Sequence, residues 1–266
     1  MSSGQAWFLP DATPTFTAPP DWRAIDFISD LHIAQGTPRV FDAWATHLHQ
    51  TRADAIFILG DLFEMWIGDD IRAGSFESRC VEVLREASRS RTVAFMPGNR
   101  DFLVGDAMLQ SSGVMRLADP TIVVAFGARL LASHGDALCL GDVGYQRYRT
   151  LVRRSGVQSL FLALPRSARE AVGRAMRRRG DRPCTDVRRR VDLDSEATRA
   201  WMQQAQTPTL VHGHTHAPAC HEVAPGTVRH VMTDWHLDNG LPERAEVLRW
   251  SADGFARIAP ETGTRP

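Results

Sequence analysis

Three short apolar runs recur in the first hundred residues, and each stops on a similar set of polar residues. Ala24–Ser29 runs into Asp30-Leu31-His32, and Ala55–Leu59 into Gly60-Asp61. Thr92–Met96 runs into Pro97-Gly98-Asn99-Arg100-Asp101. Stretches with helical apolar spacing lie between them, roughly 38–50 and 75–90. In the first, Pro38 suits a first helical turn, and Val40, Phe41, Trp44 and Leu48 share one face. Strands that are apolar throughout are covered on both sides, and strands alternating with helices build a largely parallel sheet with helices over it. There is no solenoid-type repeat.

The same rhythm resumes later. Thr121–Phe126 and Arg129–Ser133 read as a hairpin across Gly127 that ends in His134-Gly135-Asp136. From Gly141 to about Gln206 only helical patterns occur, near 143–156, 158–163, 165–180 and 194–205, with seven arginines in 177–190. This interruption predicts an inserted helical cap, 142–206, in a core made of 23–141 and 207–260. Strands near 227–232, 245–250 and 254–259 close the chain. Residues 1–22 carry Pro10, Pro14, Pro19 and Pro20 and read as a flexible extension outside the fold.

Chemistry gathers at the strand ends. In open α/β sheets ligands bind beyond the carboxyl ends of the strands, where Asp30, His32, Asp61, Asn99, Arg100, Asp101, His134 and Asp136 fall. The tract Val211-His212-Gly213-His214-Thr215-His216 adds three imidazoles at alternate positions. An extended backbone there would turn all three to one face. Carboxylates, imidazoles and one amide oxygen without thiolate favour ions such as Mn, Fe or Zn. Seven candidates, Asp30, His32, Asp61, Asn99, His134, His214 and His216, are too many for one ion. They suit two ions ~3.5–4 Å apart with a bridging carboxylate. His212 reads as a supporting residue, and His236 as structural. Of Asp136 and Asp142, one would support the site and the other the substrate, unless both lie on a solvated loop.

Composition excludes other classes. Formal net charge is zero, so nothing global points to nucleic acid. All 31 basic residues are arginine. Cys80, Cys139, Cys184 and Cys220 form no CxxC pair, which argues against a disulfide framework and for a reducing compartment. Neither a signal peptide nor a membrane-length apolar run is present, and a cytoplasmic protein is expected.

These residues carry a resemblance to the calcineurin-like binuclear metallophosphoesterases, whose motifs run D-x-H, GD, GN-x-D, a lone H and G-H-x-H. Within the family the chain is most similar to the branch acting on UDP-2,3-diacylglucosamine in lipid A biosynthesis. That likeness rests on Gly60-Asp61-Leu62-Phe63-Glu64, Trp66-Ile67-Gly68-Asp69-Asp70 and Gly98-Asn99-Arg100-Asp101-Phe102-Leu103. His134-Gly135-Asp136-Ala137-Leu138-Cys139, Asp142, Tyr145, Phe161-Leu162-Ala163-Leu164-Pro165 and the histidine tract add to it. Arg100 stands where most of the superfamily has histidine. The likeness runs from about 24 to 236, while the extension, Arg177–Asp186 and the polar Thr233–His236 depart from it.

The resemblance implies an αββα β-sandwich flanked by helices, with the helical cap lining an acyl-chain chamber. It implies a first metal on Asp30, His32 and His216, a second on Asn99, His134 and His214, and Asp61 bridging both. Asp61, Asn99, Arg100 and His134 would serve catalysis. Asn99, Arg100, Asp142 and His214, with Phe161 and Arg177 of the cap, would contact substrate. Two Mn(2+) ions, or Fe or Zn, would support attack on the alpha phosphorus, giving UMP and 2,3-diacylglucosamine 1-phosphate (lipid X). The expected location is the cytoplasmic face of the inner membrane, touched by the cap, with no obligate protein partner. The arginine block fits either a solvated helix face or anionic lipid head groups. The alternatives are another binuclear phosphoesterase acting on a nucleotide or nucleotide-sugar, and a metal-free binding scaffold.

Overall fold

Two six-stranded sheets lie face to face. The computed structural model describes residues 8–180, 192–238, 240 and 242–261, with 177–180 described by their backbone alone. In chain order the strands are β1 (Thr15–Thr17), β2 (Ala24–Ile28), β3 (Ala55–Leu59), β4 (Thr92–Met96), β5 (Met115–Arg116) and β6 (Thr121–Ala125). Then come β7 (Ala128–Ser133), β8 (Thr209–His212), β9 (Ala219–Ala224), β10 (Thr227–Val231), β11 (Val247–Ser251) and β12 (Gly254–Ile258). The helices are α1 (Pro38–Gln50), α2 (Ser75–Ser88), α3 (Asp106–Ser112), α4 (Val143–Val152), α5 (Ser155–Leu162), α6 (Arg166–Gly180) and α7 (Ser195–Ala205).

One sheet has the order β12-β11-β2-β3-β4-β5, the other β1-β6-β7-β8-β10-β9. β2 to β5 are parallel to one another, as are β7, β8 and β10. Side chains alternate across each strand. Ile25, Phe27, Phe57 and Leu59 face the opposite sheet, where they meet Val123, Leu130, Ala132 and Val211. Ile28, Ile56, Ile58 and Phe95 face outward against Trp44 and Leu48 of α1 and Cys80 and Leu84 of α2. On the far side, Leu131 and Leu210 are covered by Trp201, Met202 and Ala205 of α7. This is the αββα sandwich, and the absence of polar alternation in β2 and β3 follows from burial of both faces. Each fully buried side chain such as Phe57 contributes ~1.5–3 kcal/mol.

The ends of the chain and the cap differ from expectation. Residues 15–17 of the supposed extension form β1, parallel to β6. Phe16 packs edge-on against Phe57 with ring centroids 5.2 Å apart, so the second half of the 1–22 segment is sheet and core. The segment 142–206 divides in two. α7 belongs to the sandwich, since its apolar face covers the outer sheet. α4 and α5 contribute no buried residue, and Leu160, Leu162 and Leu164 are exposed. α6 is fastened by Arg169, only 4% exposed, whose guanidinium pairs with Asp70 and donates to the carbonyl of Leu164 (3.0 Å). The arginine block 181–190 lies outside the described residues, as do the side chains of Arg177–Arg179.

Candidate metal centre

The carboxyl ends of β2, β3 and β4 open at the same rim as those of β7 and β8. The residues just past them take an unusual backbone. Asp30 (φ 55), His32 (φ 50), Asp61 (φ 51), His214 (φ 67) and His216 (φ 51) are left-handed. They are five of the seven non-glycine residues with positive φ among those described. Each costs ~1–2 kcal/mol relative to the right-handed form, and such strain gathers at functional sites. Backbone bonds between the loops hold it: Asp30 N–H donates to Gly60 O (3.1 Å), His32 N–H to Asp61 O (3.0 Å), and Gly213 N–H to His134 O (3.0 Å).

The histidine tract is not extended, which corrects the reading from alternation. His212 ends β8, fully buried, with Nδ1 2.9 Å from the carbonyl of Gly213. His214 and His216 lie beyond the strand on the left-handed loop, so the three rings do not share a face.

Two groups of donor atoms form, one on each side of a carboxylate pair. Asp30, His32 and His216 offer atoms all within 4.8 Å of one another, as do Asp30, Asp61 and His134. His32 Nε2 is 3.3 Å from His216 Nε2, and His216 Nε2 is 3.4 Å from Asp30 Oδ1. On the other side, Asn99 Oδ1 is 2.9 Å from His134 Nε2 and 2.8 Å from His214 Nδ1. Asp61 turns one oxygen each way: Oδ1 is 3.7 Å from His134 Nε2, and Oδ2 is 4.0 Å from His32 Nε2.

The donor set fits divalent ions. Asp30 Oδ1 is buried without a hydrogen-bond partner. His134 Nδ1–H donates to the carbonyl of Leu59 (2.9 Å), which leaves the Nε2 lone pair facing the site, as a ligating histidine requires. Without an ion, the charges compensate only through protons. Burial pushes the Asp61 carboxyl up to about 7, with Asp101 and Asp30 adding to it against the opposing pull of His134. Against the cost of burial, Asp61 and Asp30 raise His134 to about 9, and Asp234 and Asp30 raise His216 to about 10. Burial lowers His32 to about 3, with the charge of His216 adding to it, and lowers His214 to about 4, with His134 adding. Asp30 is held well below the usual carboxylate range: burial opposes this, but the His216 contact outweighs it. The cluster therefore holds protons that bound cations would displace.

Around the donor groups lie residues that support them, and of these Asp119 has no role in the sequence reading. Asp101 accepts from the backbone N–H groups of Gly98 (2.8 Å) and Leu62 (2.8 Å), tying the Asp61 loop to the Asn99 loop. Asp119 accepts from His134 N–H (3.1 Å). Glu64 lies 3.0 Å from the Arg100 guanidinium and 3.5 Å from His32 Nδ1. Asp136 accepts from Tyr145 Oη (2.6 Å) and Arg149 Nε (2.8 Å), so it fastens α4 to the core. Asp142 is exposed and caps α4, accepting from Tyr145 N–H (2.8 Å). Phe161 packs against the α1–α2 core. Arg100 N–H donates to Asp61 Oδ1 (2.8 Å), and its guanidinium is held by Glu64, which also approaches His32.

The comparisons with known proteins agree with this geometry. The model of the calcineurin-like phosphoesterase family matches residues 24–218. The UDP-2,3-diacylglucosamine hydrolase of Coxiella burnetii is 37% identical over 234 residues, covering 86% of this chain and 93% of its own. Its namesake in Chromobacterium violaceum is 38% identical over 221 residues, covering 82% and 92%. That of Ralstonia nicotianae is 36% identical over 249 residues, covering 89% and 92%. With the motif residues gathered at one rim and the match spanning the core, the chain belongs to the calcineurin-like phosphoesterase family.

Proposed function

We propose that this protein hydrolyses the pyrophosphate bond of UDP-2,3-diacylglucosamine to UMP and 2,3-diacylglucosamine 1-phosphate. The observation that carries this reading is the pair of donor groups that share Asp30, with Asp61 in one of them, in a chain similar over 86% of its length to a hydrolase of that name. Asp30, His32 and His216 would hold one divalent ion, and Asn99, His134 and His214 the other, with Asp61 between them. Manganese is the ion we favour. Such ions supply Lewis acidity and bring the pKa of water down to near 7.

The chain's own residues do the rest. Arg100 would stabilise charge on the alpha phosphorus, a task that suits a guanidinium, which is a donor of hydrogen bonds and not a general acid. The departing phosphate needs little protonation, so no general acid is required. Water adds to the alpha phosphorus, and the bridging oxygen leaves with the lipid phosphate. Asn99 and His214 face the transferred phosphate. Asp142, at the start of α4, would contact the head group. α4 to α6, with Phe161, would form the cap over the acyl chains. No helix among the described residues is long and apolar enough to cross a membrane. The exposed leucines of α5 and its following turn instead rest on the cytoplasmic face of the inner membrane.

The test is Mn-dependent release of UMP from UDP-2,3-diacylglucosamine. Wild type turns over, and Asp61→Ala loses turnover with its circular dichroism unchanged. Equal turnover of UDP-glucosamine without acyl chains would move the reading to a general nucleotide-sugar phosphoesterase.

A further inference from the structure

We infer that Asp234 is a positioning residue for the metal centre, fixing the His216 ring from behind. The inference rests on the reading that Asp30, His32 and His216 hold a divalent ion. Asp234 follows β10, which runs parallel to β8, so its loop reaches the same rim as His216. It is 2% exposed. Its Oδ2 lies 3.2 Å from His216 Nδ1 and also contacts His236 Nε2, while Oδ1 contacts the Arg244 guanidinium.

A buried carboxylate is stable only with such partners. Here they come from two directions. His236 and Arg244 exchange both backbone hydrogen bonds (2.8 and 3.0 Å), which fixes one side. Trp235 N–H donates to the carbonyl of Asp30 (3.1 Å), which ties the loop to the site itself. The carboxylate is therefore placed independently of His216, and it can impose an orientation on the ring.

The consequence is chemical. When Nδ1–H donates to Asp234, the lone pair sits on Nε2, which faces Asp30 Oδ1 at 3.4 Å and His32 Nε2 at 3.3 Å. Carboxylate acceptors of this kind also raise the basicity of a ligating ring. His134 receives the same treatment from a neutral acceptor, the carbonyl of Leu59. His216 is a third exposed and sits on a left-handed loop residue, so it has the greater need of a fixed partner.

The experiment is calorimetric titration of metal-stripped full-length protein with Mn(2+). Wild type is expected to bind two ions. Asp234→Asn should weaken one of them about 10–100-fold and leave the other unchanged, with the melting temperature of the metal-free protein within a few degrees of wild type. Arg244→Met removes one arm of the same carboxylate while His236 and the Trp235 backbone bond still hold it, and should weaken the same ion less than Asp234→Asn does. If Asp234→Asn does not fold, Asp234→Ser carries the same expectation. Two ions of wild-type affinity in the Asp234 variant would overturn the inference, and so would equal weakening in the Arg244 variant, which marks a merely structural role. A wild type that binds no Mn(2+) would overturn the metal-site reading and this inference with it.

Discussion

Position 213 shows how tightly single residues are constrained at the centre. A methyl group on Gly213 would collide with Ser29 Oγ and Asp30 Oδ2. Those atoms are already engaged: Ser29 Oγ donates to Asp30 Oδ2 (2.7 Å), and His214 N–H donates to the same oxygen (2.9 Å). Gly213→Ala must therefore move either Asp30 or the His214 loop. Displacements of ~1 Å at a reacting centre cost about 100-fold, so UMP release should fall by about that factor while the melting temperature drops only a few degrees. Wild-type turnover in that variant would show that the loop absorbs the methyl group. The sequence made the ligand candidates legible because each follows a strand, and strands buried on both faces announce where they stop. It marks Asp101 and Glu64 as motif positions but assigns them no contact, and it assigns Asp234 no role. Their significance lies in contacts with loops far away in the chain, and an aspartate in a loop reads the same whether it accepts two backbone N–H groups or none.

At the scale of elements, Asp26 holds β2, β11 and the C-terminal end of α1 together. Its Oδ1 accepts from Arg249 Nε (2.7 Å), and its Oδ2 from Thr51 Oγ1 (2.6 Å), with His47 Nε2 at 3.2 Å. Against the cost of burial, Arg249 first and then His47 and Thr51 bring its carboxyl down to about 2. A carboxyl lowered on folding adds stability that is complete above its unfolded value, near 4, and is lost as pH falls through the folded value. The expected contribution is on the order of 2 kcal/mol, lost between about pH 4 and pH 2. Asp26→Asn should be less stable than wild type at pH 7, and chemical denaturation of the two should converge as pH falls to 2. A constant gap across that range would remove the linkage. Elements were read well where apolar period decides them, as for α1, β3 and the β6–β7 hairpin. They were missed where pairing decides them. Only three residues of β1 touch β6, and β9 buries none of its six residues, so its strand character comes from β10 alongside it.

At the scale of the whole molecule, α4 to α6 need something to hold them to the sandwich. Apolar burial does not, since α4 and α5 bury no residue and several of their leucines face outward. Polar clamps do it instead. Asp136 takes Tyr145 and Arg149 on one side. On the other, Arg169 NH1 lies 2.8 Å from Asp70 Oδ1, and a methyl group on Gly173 would collide with Met65 Sδ, so α6 lies directly on the 65–70 loop. A cap fastened by a few charged hydrogen bonds can be released by removing one of them. Such bonds contribute ~1.5–3 kcal/mol each, a cost that falls on cap docking because the sandwich does not depend on it. Arg169→Ala should therefore speed amide exchange in α5 and α6 and leave exchange in β2 to β4 unchanged. On the proposed reading, in which the cap would serve binding and the metal ligands chemistry, KM for the diacylated substrate should rise about 10-fold with kcat within a factor of two or three. A fall in kcat at constant KM would instead mean that Arg169 acts through the reacting centre, and the cap would then be part of the catalytic machinery rather than a separately fastened binding wall.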